Sequence, residues 1–393
     1  VSGAEQEFLP FSRPSISQAA IDEVVACLQS GWLTTGPRVE RFEAALKTYL
    51  GAPHVLALSS ATAGLHLALL ALKLQPGDEV ITTPLTFAAT LNTIVLAGGR
   101  PVLVDVDPAT YNINVAAVEQ AVTPRTRAIV PVHFAGLPVD LDPLYALAEA
   151  EEIRVIEDAA HAIGTEYKGR RIGSFGDTQV FSFHPNKNMT TGEGGAVATR
   201  DAALAREIAL LRFHGIDREA WNRFGPKGNQ DYDIVAAGFK YNMMDLQAAL
   251  GLHQLPELDG FILRRTGLAQ RYQTRLKDWT QWTLPGAPVY AHRHAWHLYT
   301  PVINPEAAGM DRTSFMKAMQ ERGIGIGLHY RTVHLYPYYR TTFGFQRGDY
   351  PHAESIGDRI VSLPLFPAMT DRDHDRVIDA MAAVFKRTAT QAG

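Results

Sequence analysis

From about residue 55 the chain alternates short β-rich runs with helical runs, and that alternation is its strongest constraint on fold. HVLALSS reads as a strand leading into a turn, and TAGLHLALLALK then carries apolar residues at helical spacing. DEVITTP, RPVLVDV, RAIVPVHF, RVIEDAA and TQVFSFH read as further short strands. Intervening stretches such as FAATLNTIVLAGG and LDPLYALAEAEE read as crossover helices. Several of the strands are apolar on both faces, as parallel strands covered by helices must be. The fold class expected is therefore α/β.

After about residue 255 the rhythm changes. LPELDGFILRRTGLAQRYQTRLKDW is one long helical pattern, and HAWHLYTPVI and GIGIGLHY read as strands flanking the helical SFMKAMQERG. TDRDHDRVIDAMAAVFKR reads as a final amphipathic helix with Thr370 as its N-cap. The 393 residues exceed one typical domain. The expected division is a large domain over 1–255, including an N-terminal segment, and a smaller α+β domain over 256–393.

Composition removes several functions. The net charge is −4 with basic residues spread along the chain, so no Lys/Arg block is available to track a nucleic acid. Cys27 is the only cysteine, which leaves no intrachain disulfide and no cysteine-based zinc site. No uninterrupted apolar stretch is long enough to span a membrane. The opening VSGAEQEFLP is acidic and lacks the basic-then-apolar order of a signal peptide. A cytoplasmic location is expected.

Four stretches carry candidate chemistry. In SSATAGLHLALLAL, small polar residues close a strand and open a helix. Free N–H groups there favour an anion such as phosphate, with Ser60 and Thr62 as extra donors; taken by itself, simple N-capping is the readier explanation. In RVIEDAAHAIG an apolar strand ends at Glu157-Asp158, where ligands of open α/β sheets gather; Asp158 either meets a ligand cation or caps the next helix. In FSFHPNKNMTTGEGGAV, Ser182 and Lys187 flank a strand end. A buried lysine there is a usable amine nucleophile, and an exposed one is only a loop residue. Phe87 in TFAATLN either stacks on a planar ring or belongs to the core. Together the four match pyridoxal phosphate (PLP), which has a phosphate tail, a ring nitrogen that wants a carboxylate, and an aldehyde that reacts with lysine.

With these motifs the chain resembles the DegT/DnrJ/StrS family of PLP-dependent nucleotide-sugar aminotransferases. The resemblance runs from LPFSRP and SGWLTTGPRVERFE, through PVHFAGLPVDLD and LRFHG, to SLPLFPAMTD. It implies the aspartate-aminotransferase fold (PLP fold type I) and a homodimer with active sites at the subunit interface. Lys187 is then the Schiff-base lysine and Asp158 the partner of the ring nitrogen. Ser182, Ala61 and Thr62 hold the phosphate, Phe87 stacks on the ring, and His161 lies beside the phenolic oxygen. Family members also send a residue across the dimer to the phosphate from the stretch matching GFKYNMMDLQAAL. Here Lys240 takes the usual Asn place and Asn242 the usual Arg place.

The implied reaction moves an amino group from glutamate, released as 2-oxoglutarate, to a nucleotide-linked ketosugar, with pyridoxamine phosphate between the two halves. LPFSRP, HAWHL and GIGIGLHYR are similar to the branch that aminates a UDP-4-ketopentose for lipopolysaccharide. HPNKNMTTGEGG and Phe87 instead follow the wider family, which leaves a UDP- or dTDP-4-keto-6-deoxyhexose as the alternative. Gly31, Trp32, Thr34, Arg212, His214, His329, Tyr330 and Arg331 match positions near the sugar nucleotide. Arg212, Lys240 and Arg331 are its candidate diphosphate cations. Two rivals are a PLP-dependent sugar dehydratase and a non-catalytic homologue. The presence of Lys187, with no cysteine set for a cluster, argues against the first. Intact Asp158, Ser182 and Lys187 argue against the second. His292, His294 and His297 in HRHAWH are not expected to bind a metal, because on a strand His294 and His297 face opposite ways.

Overall fold

The computed structural model describes residues 7–217 and 232–391. Residues 1–6 of the N-terminal stretch lie outside the described residues. Helices α1 (Gln18–Gln29) and α2 (Pro37–Leu50) precede a repeated strand–helix pattern. That pattern runs β1 (His54–Leu58), α3 (Ala61–Leu70), β2 (Glu79–Thr82), α4 (Ala88–Leu96) and β3 (Arg100–Leu103). It continues with α5 (Val115–Ala121), β4 (Thr126–Ile129), α6 (Leu141–Ala150) and β5 (Arg154–Asp158). A small hairpin, β6 (Glu166–Tyr167) and β7 (Arg170–Arg171), then leads to β8 (Thr178–Ser182), β9 (Gly195–Thr199) and α7 (Ala202–Leu211).

Seven strands form one sheet in the order β1-β9-β8-β5-β4-β2-β3. Pairing is parallel from β3 through β8, and β9 runs antiparallel between β8 and β1. The both-face apolar pattern has its expected consequence: β2, β8 and β9 are buried along their whole length. Helix α3 is apolar nearly all round because it is sandwiched. Its Gly64 lies so close to the sheet that a Cβ there would sit 2.7 Å from Val180.

The long helix read from residue 255 begins earlier. Helix α8 spans Asp245–Leu276, 32 residues, with Pro256 inside it. Packing on both sides offsets the one lost N–H bond. Ala248, Leu255, Leu258 and Ile262 pack into the core under the sheet, whereas Leu268, Ala269, Tyr272 and Leu276 belong to a second core. That second core also holds Phe315 and Met319 of the SFMKAMQERG helix (Arg312–Gln320) and Val377, Ile378 and Met381 of the last helix (Asp371–Gln391). Thr370 and Asp373 exchange the two hydrogen bonds of a capping box at its start.

Two strand readings need correction. HAWHLYTPVI is not one strand: it pairs at Val302–Ile303 and through a single bridge from Tyr299 to Leu363, with the two-residue strand His292–Arg293 just before it. Trp296 between them is left-handed at φ 47°, and its ring lies flat on His294 at 3.8 Å. GIGIGLHY makes only single bridges, through Ile324 to Leu9 and Gly327 to Ser362. Both segments carry apolar residues of strand type, but they serve as irregular walls between the two cores.

Candidate active site

At one end of the sheet, β1, β5 and β8 finish and the antiparallel β9 begins. Gly195 opens β9 and pairs with Leu58 on one side and Ser182 on the other. A Cβ on Gly195 would lie 2.5 Å from Ala61 N, so the absence of a side chain lets α3 start directly over the sheet. Ser60 caps α3 by accepting from Ala63 N–H at 3.1 Å. The N–H groups of Ala61 and Thr62, in the same first turn, have no intrahelical acceptor. Capping and an anion cradle, open alternatives in the sequence, therefore coexist.

A cavity of about 380 Å³ opens onto this helix start. Ala61, Thr62, Phe87 and Asp158 line it, as do His161, Ser182, Lys187, His329 and Tyr330. Phe87 is 59% exposed, so it belongs to the cavity wall and not to the core.

Lys187 is half-buried in the cavity wall, and the loss of solvation lowers its ammonium to about 8 despite the opposing pull of Asp158. Its Nζ lies 3.5 Å from His297 Nε2. Asp158 is pushed up by burial, while donors from Thr90 and Ala160 N–H act against that shift. His161 Nδ1 accepts from Ala135 N–H at 3.3 Å, which leaves Nε2 to donate to the Tyr330 hydroxyl at 3.1 Å. Burial drives His161 and His297 well below the ordinary imidazole value and His329 to about 4, so these rings are neutral. On the other face of β5, Glu157 accepts from His133, Tyr145 and Gln179, which locks the strand that carries Asp158.

The remaining candidates do not reach this cavity within one chain. Arg212, expected as a diphosphate cation, is engaged by Glu43 at 2.5 Å and by the Ala57 carbonyl. Together with Thr35 and Asn242 it lines a second cavity of about 430 Å³. Asn242 donates to Thr35 and accepts from Lys240, whose ammonium also sits over the Phe213 ring. The Trp32 indole donates to the Thr35 carbonyl, and the Thr34 carbonyl accepts from Asp245 N–H. Gly31 is left-handed at φ 71° and His214 at φ 58°. Both are exposed. Arg331 lies over Tyr336. His292, His294 and His297 point to different surroundings for a reason other than strand alternation: His294 stacks on Trp296 and His297 faces Lys187.

Sequence reasoning passed over Thr86, Thr90 and His297. Thr90 lies in α4, but Thr86 precedes the helix and its N-cap Phe87, so helical spacing gave no signal for the pair. His297 gave none, since only the tertiary fold brings residue 297 to residue 187.

A mainly parallel sheet with an enclosed lysine and carboxylate beside a helix-start anion cradle defines a PLP-dependent transaminase of fold type I. The chain belongs to the DegT/DnrJ/EryC1/StrS aminotransferase family, which matches it over residues 14–382. It is 46% identical over 384 residues to the spore coat polysaccharide biosynthesis protein SpsC of Bacillus subtilis, covering 96% of this chain and 97% of that protein. Among solved structures it is similar to the putative sugar aminotransferase Spr1654 from Streptococcus pneumoniae in its PMP form. The TM-score is 0.89 at 32% identity, covering 97% of this chain and 100% of that one. Spr1654 is also known in a PLP form. Helicobacter pylori PseC, an aminotransferase involved in the biosynthesis of pseudoaminic acid, matches at TM-score 0.89 and 28% identity, covering 97% and 100% of the two chains. The residues present fit PLP: unpaired N–H groups for a phosphate, a buried carboxylate for a ring cation and a low-pKa amine for an aldehyde share one cavity.

Proposed function

We propose that the chain transfers an amino group from glutamate to the keto carbon of a nucleotide-linked sugar, with a UDP-4-ketopentose as the leading acceptor. The observation that carries this reading is the enclosure of Lys187 and Asp158 in one cavity. PLP, when bound, supplies the electron sink and carries the amino group between the two substrates.

The chain's own residues do the rest. Ala61 and Thr62 N–H groups and the Ser182 hydroxyl hold the phosphate. Asp158 balances the ring-nitrogen charge, and Phe87 covers one ring face. The His161–Tyr330 pair stands beside the phenolic oxygen. Lys187 would be neutral at small cost and would move a proton at its Nζ. Such positioned proton transfer contributes ~10²–10⁴ in rate.

The active unit in this reading is a homodimer in the cytoplasm. No helix among the described residues is long and apolar enough to cross a membrane. Across the dimer, Lys240 is the better candidate for the neighbouring phosphate. It is exposed, whereas Asn242 is buried and held by Thr35. Trp32, Thr34, Arg212, His214, His329 and Arg331 are assigned to the sugar-nucleotide side. The relative SpsC, by its name a spore coat polysaccharide biosynthesis protein, supports a role in making a polysaccharide.

The test runs the second half-reaction backwards. UDP-4-amino-4-deoxy-L-arabinose, then UDP- and dTDP-linked 4-amino-hexoses, are added singly to the yellow holoenzyme, and bleaching is followed. Bleaching with the pentose alone supports the leading acceptor. Bleaching with a hexose alone replaces it, and no bleaching with any amino sugar overturns the reading. Lys187→Ala is expected to abolish turnover.

A further inference from the structure

Asp158 serves the proposed reaction only if it stays ionised and aimed at the ring nitrogen, yet it is 6% exposed and its burial works against ionisation. The backbone of β5 is fixed at this point: Asp158 N–H donates to Pro131 O at 2.8 Å, and Asp158 O accepts from His133 N–H at 3.1 Å. The carboxylate itself has two donors. Ala160 N–H reaches Oδ1 at 3.2 Å, and the Thr90 hydroxyl reaches Oδ2 at 2.8 Å. The Thr90 oxygen lies a further 2.8 Å from the Thr86 hydroxyl. Both threonines are buried, at 2% and 0% exposure, and Thr86 also lines the cavity.

The direction of this chain follows from donor counting. An ionised carboxylate only accepts, so Thr90 spends its proton on Asp158. Thr86 must then donate to Thr90. A protonated Asp158 would turn both hydroxyls round. The relay can serve either state, but it is stronger with the charged form, since a hydrogen bond to a charged acceptor is among the stronger ones.

We propose that Thr90 is a positioning residue whose hydroxyl, oriented by Thr86, keeps Asp158 ionised and turned toward the cofactor's ring nitrogen. This rests on the assignment of Asp158 to that nitrogen. The test compares the affinity of the full chain, stripped of cofactor, for PLP and for 1-deazapyridoxal phosphate, which has CH in place of the ring nitrogen. The wild-type chain is expected to prefer PLP. In Thr90→Val the preference falls by about tenfold or more, the scale of a lost bond to a charged group. Affinity for the deaza analogue stays within about threefold, and Thr90→Ser restores the preference, since it returns the same donor. Equal loss of both affinities in Thr90→Val, or an unchanged preference, overturns the proposal. A wild-type chain with no preference overturns the Asp158 assignment itself, and the proposal with it.

Discussion

The Nζ of Lys187 and the Nε2 of His297 lie 3.5 Å apart, and this is the one hydrogen-bond contact of that ammonium among the described residues. The His297 ring is itself packed on His161 at 4.4 Å, and both imidazoles are neutral. A half-buried amine facing neutral rings sheds its proton readily. In the cofactor-free chain Lys187 is expected to titrate near 8, lowered by burial against the opposing pull of Asp158. Its rate of reductive methylation by formaldehyde should rise with pH and level off above that value. A midpoint near 10.5, the ordinary lysine range, would contradict the enclosure.

Gly195→Ala tests the helix-start cradle. The added Cβ would meet Ala61 N and Ser60 C at 2.5 Å, both of them backbone. Moving α3 to make room costs about 1–3 kcal/mol. Urea unfolding should show that loss and PLP affinity should fall, whereas Gly267→Ala, in the exposed interior of α8 with no atom within 4 Å of the added carbon, should leave PLP affinity unchanged.

Acid should destabilise the fold in a defined window. Burial lowers His294 to about 3 and His329 and His374 to about 4. In the unfolded chain the same rings take up protons near 6.5. The folded values are depressed, so this stability is fully present above about 6.5 and is lost as pH falls toward 4. His374 gives the cleanest case. Its ring packs on Tyr272 at 4.0 Å, and both ring nitrogens are buried without partners. Arg271 and Arg275 oppose its charging, whereas Asp371 and Asp375 favour it. His374→Phe keeps the ring contact and should remove up to about 2 kcal/mol of the acid-side loss, read from urea midpoints at pH 7 and pH 4.5.

Arg265 holds the wall behind His297. Its guanidinium is 1% exposed and donates to the carbonyls of Trp296, His297 and Leu365 at 3.3, 3.2 and 2.8 Å. Arg265→Met would strand two buried acceptors, the His297 and Leu365 carbonyls, and one part-buried, at about 1–3 kcal/mol for each buried group left unmet. A loss of about 3 kcal/mol or more in urea is expected; a change under ~1 kcal/mol would mean the segment relaxes to find other donors.

The strand–helix alternation, the helix start after Ser60, and the polar strand ends at Asp158 and Ser182 were all legible because they depend on neighbours a few residues away. Periodicity reports which faces are buried, and a small polar residue at a strand end reports a helix about to begin. HAWHLYTPVI misled for the converse reason. Its apolar residues meet the two cores in turn, so their spacing carries no single period, and Trp296 leaves the extended region altogether. The helical pattern read from Leu255 is the later part of α8, which starts at Asp245 and carries Pro256 inside it.

The sequence by itself determined the α/β order, the sheet's apolar strands and the residue types that gather where the strands end. Only the tertiary structure decided that Lys187 would be enclosed beside His297, that Thr90 would reach Asp158, and that Arg212 would be taken by Glu43. The physical reason is range. Secondary structure follows local sterics and periodic burial, but the charge state of a lysine or carboxylate is set by what surrounds it in three dimensions. Those surroundings come from segments far away in the chain: His297 is 110 residues from Lys187, and Arg212 is 169 from Glu43.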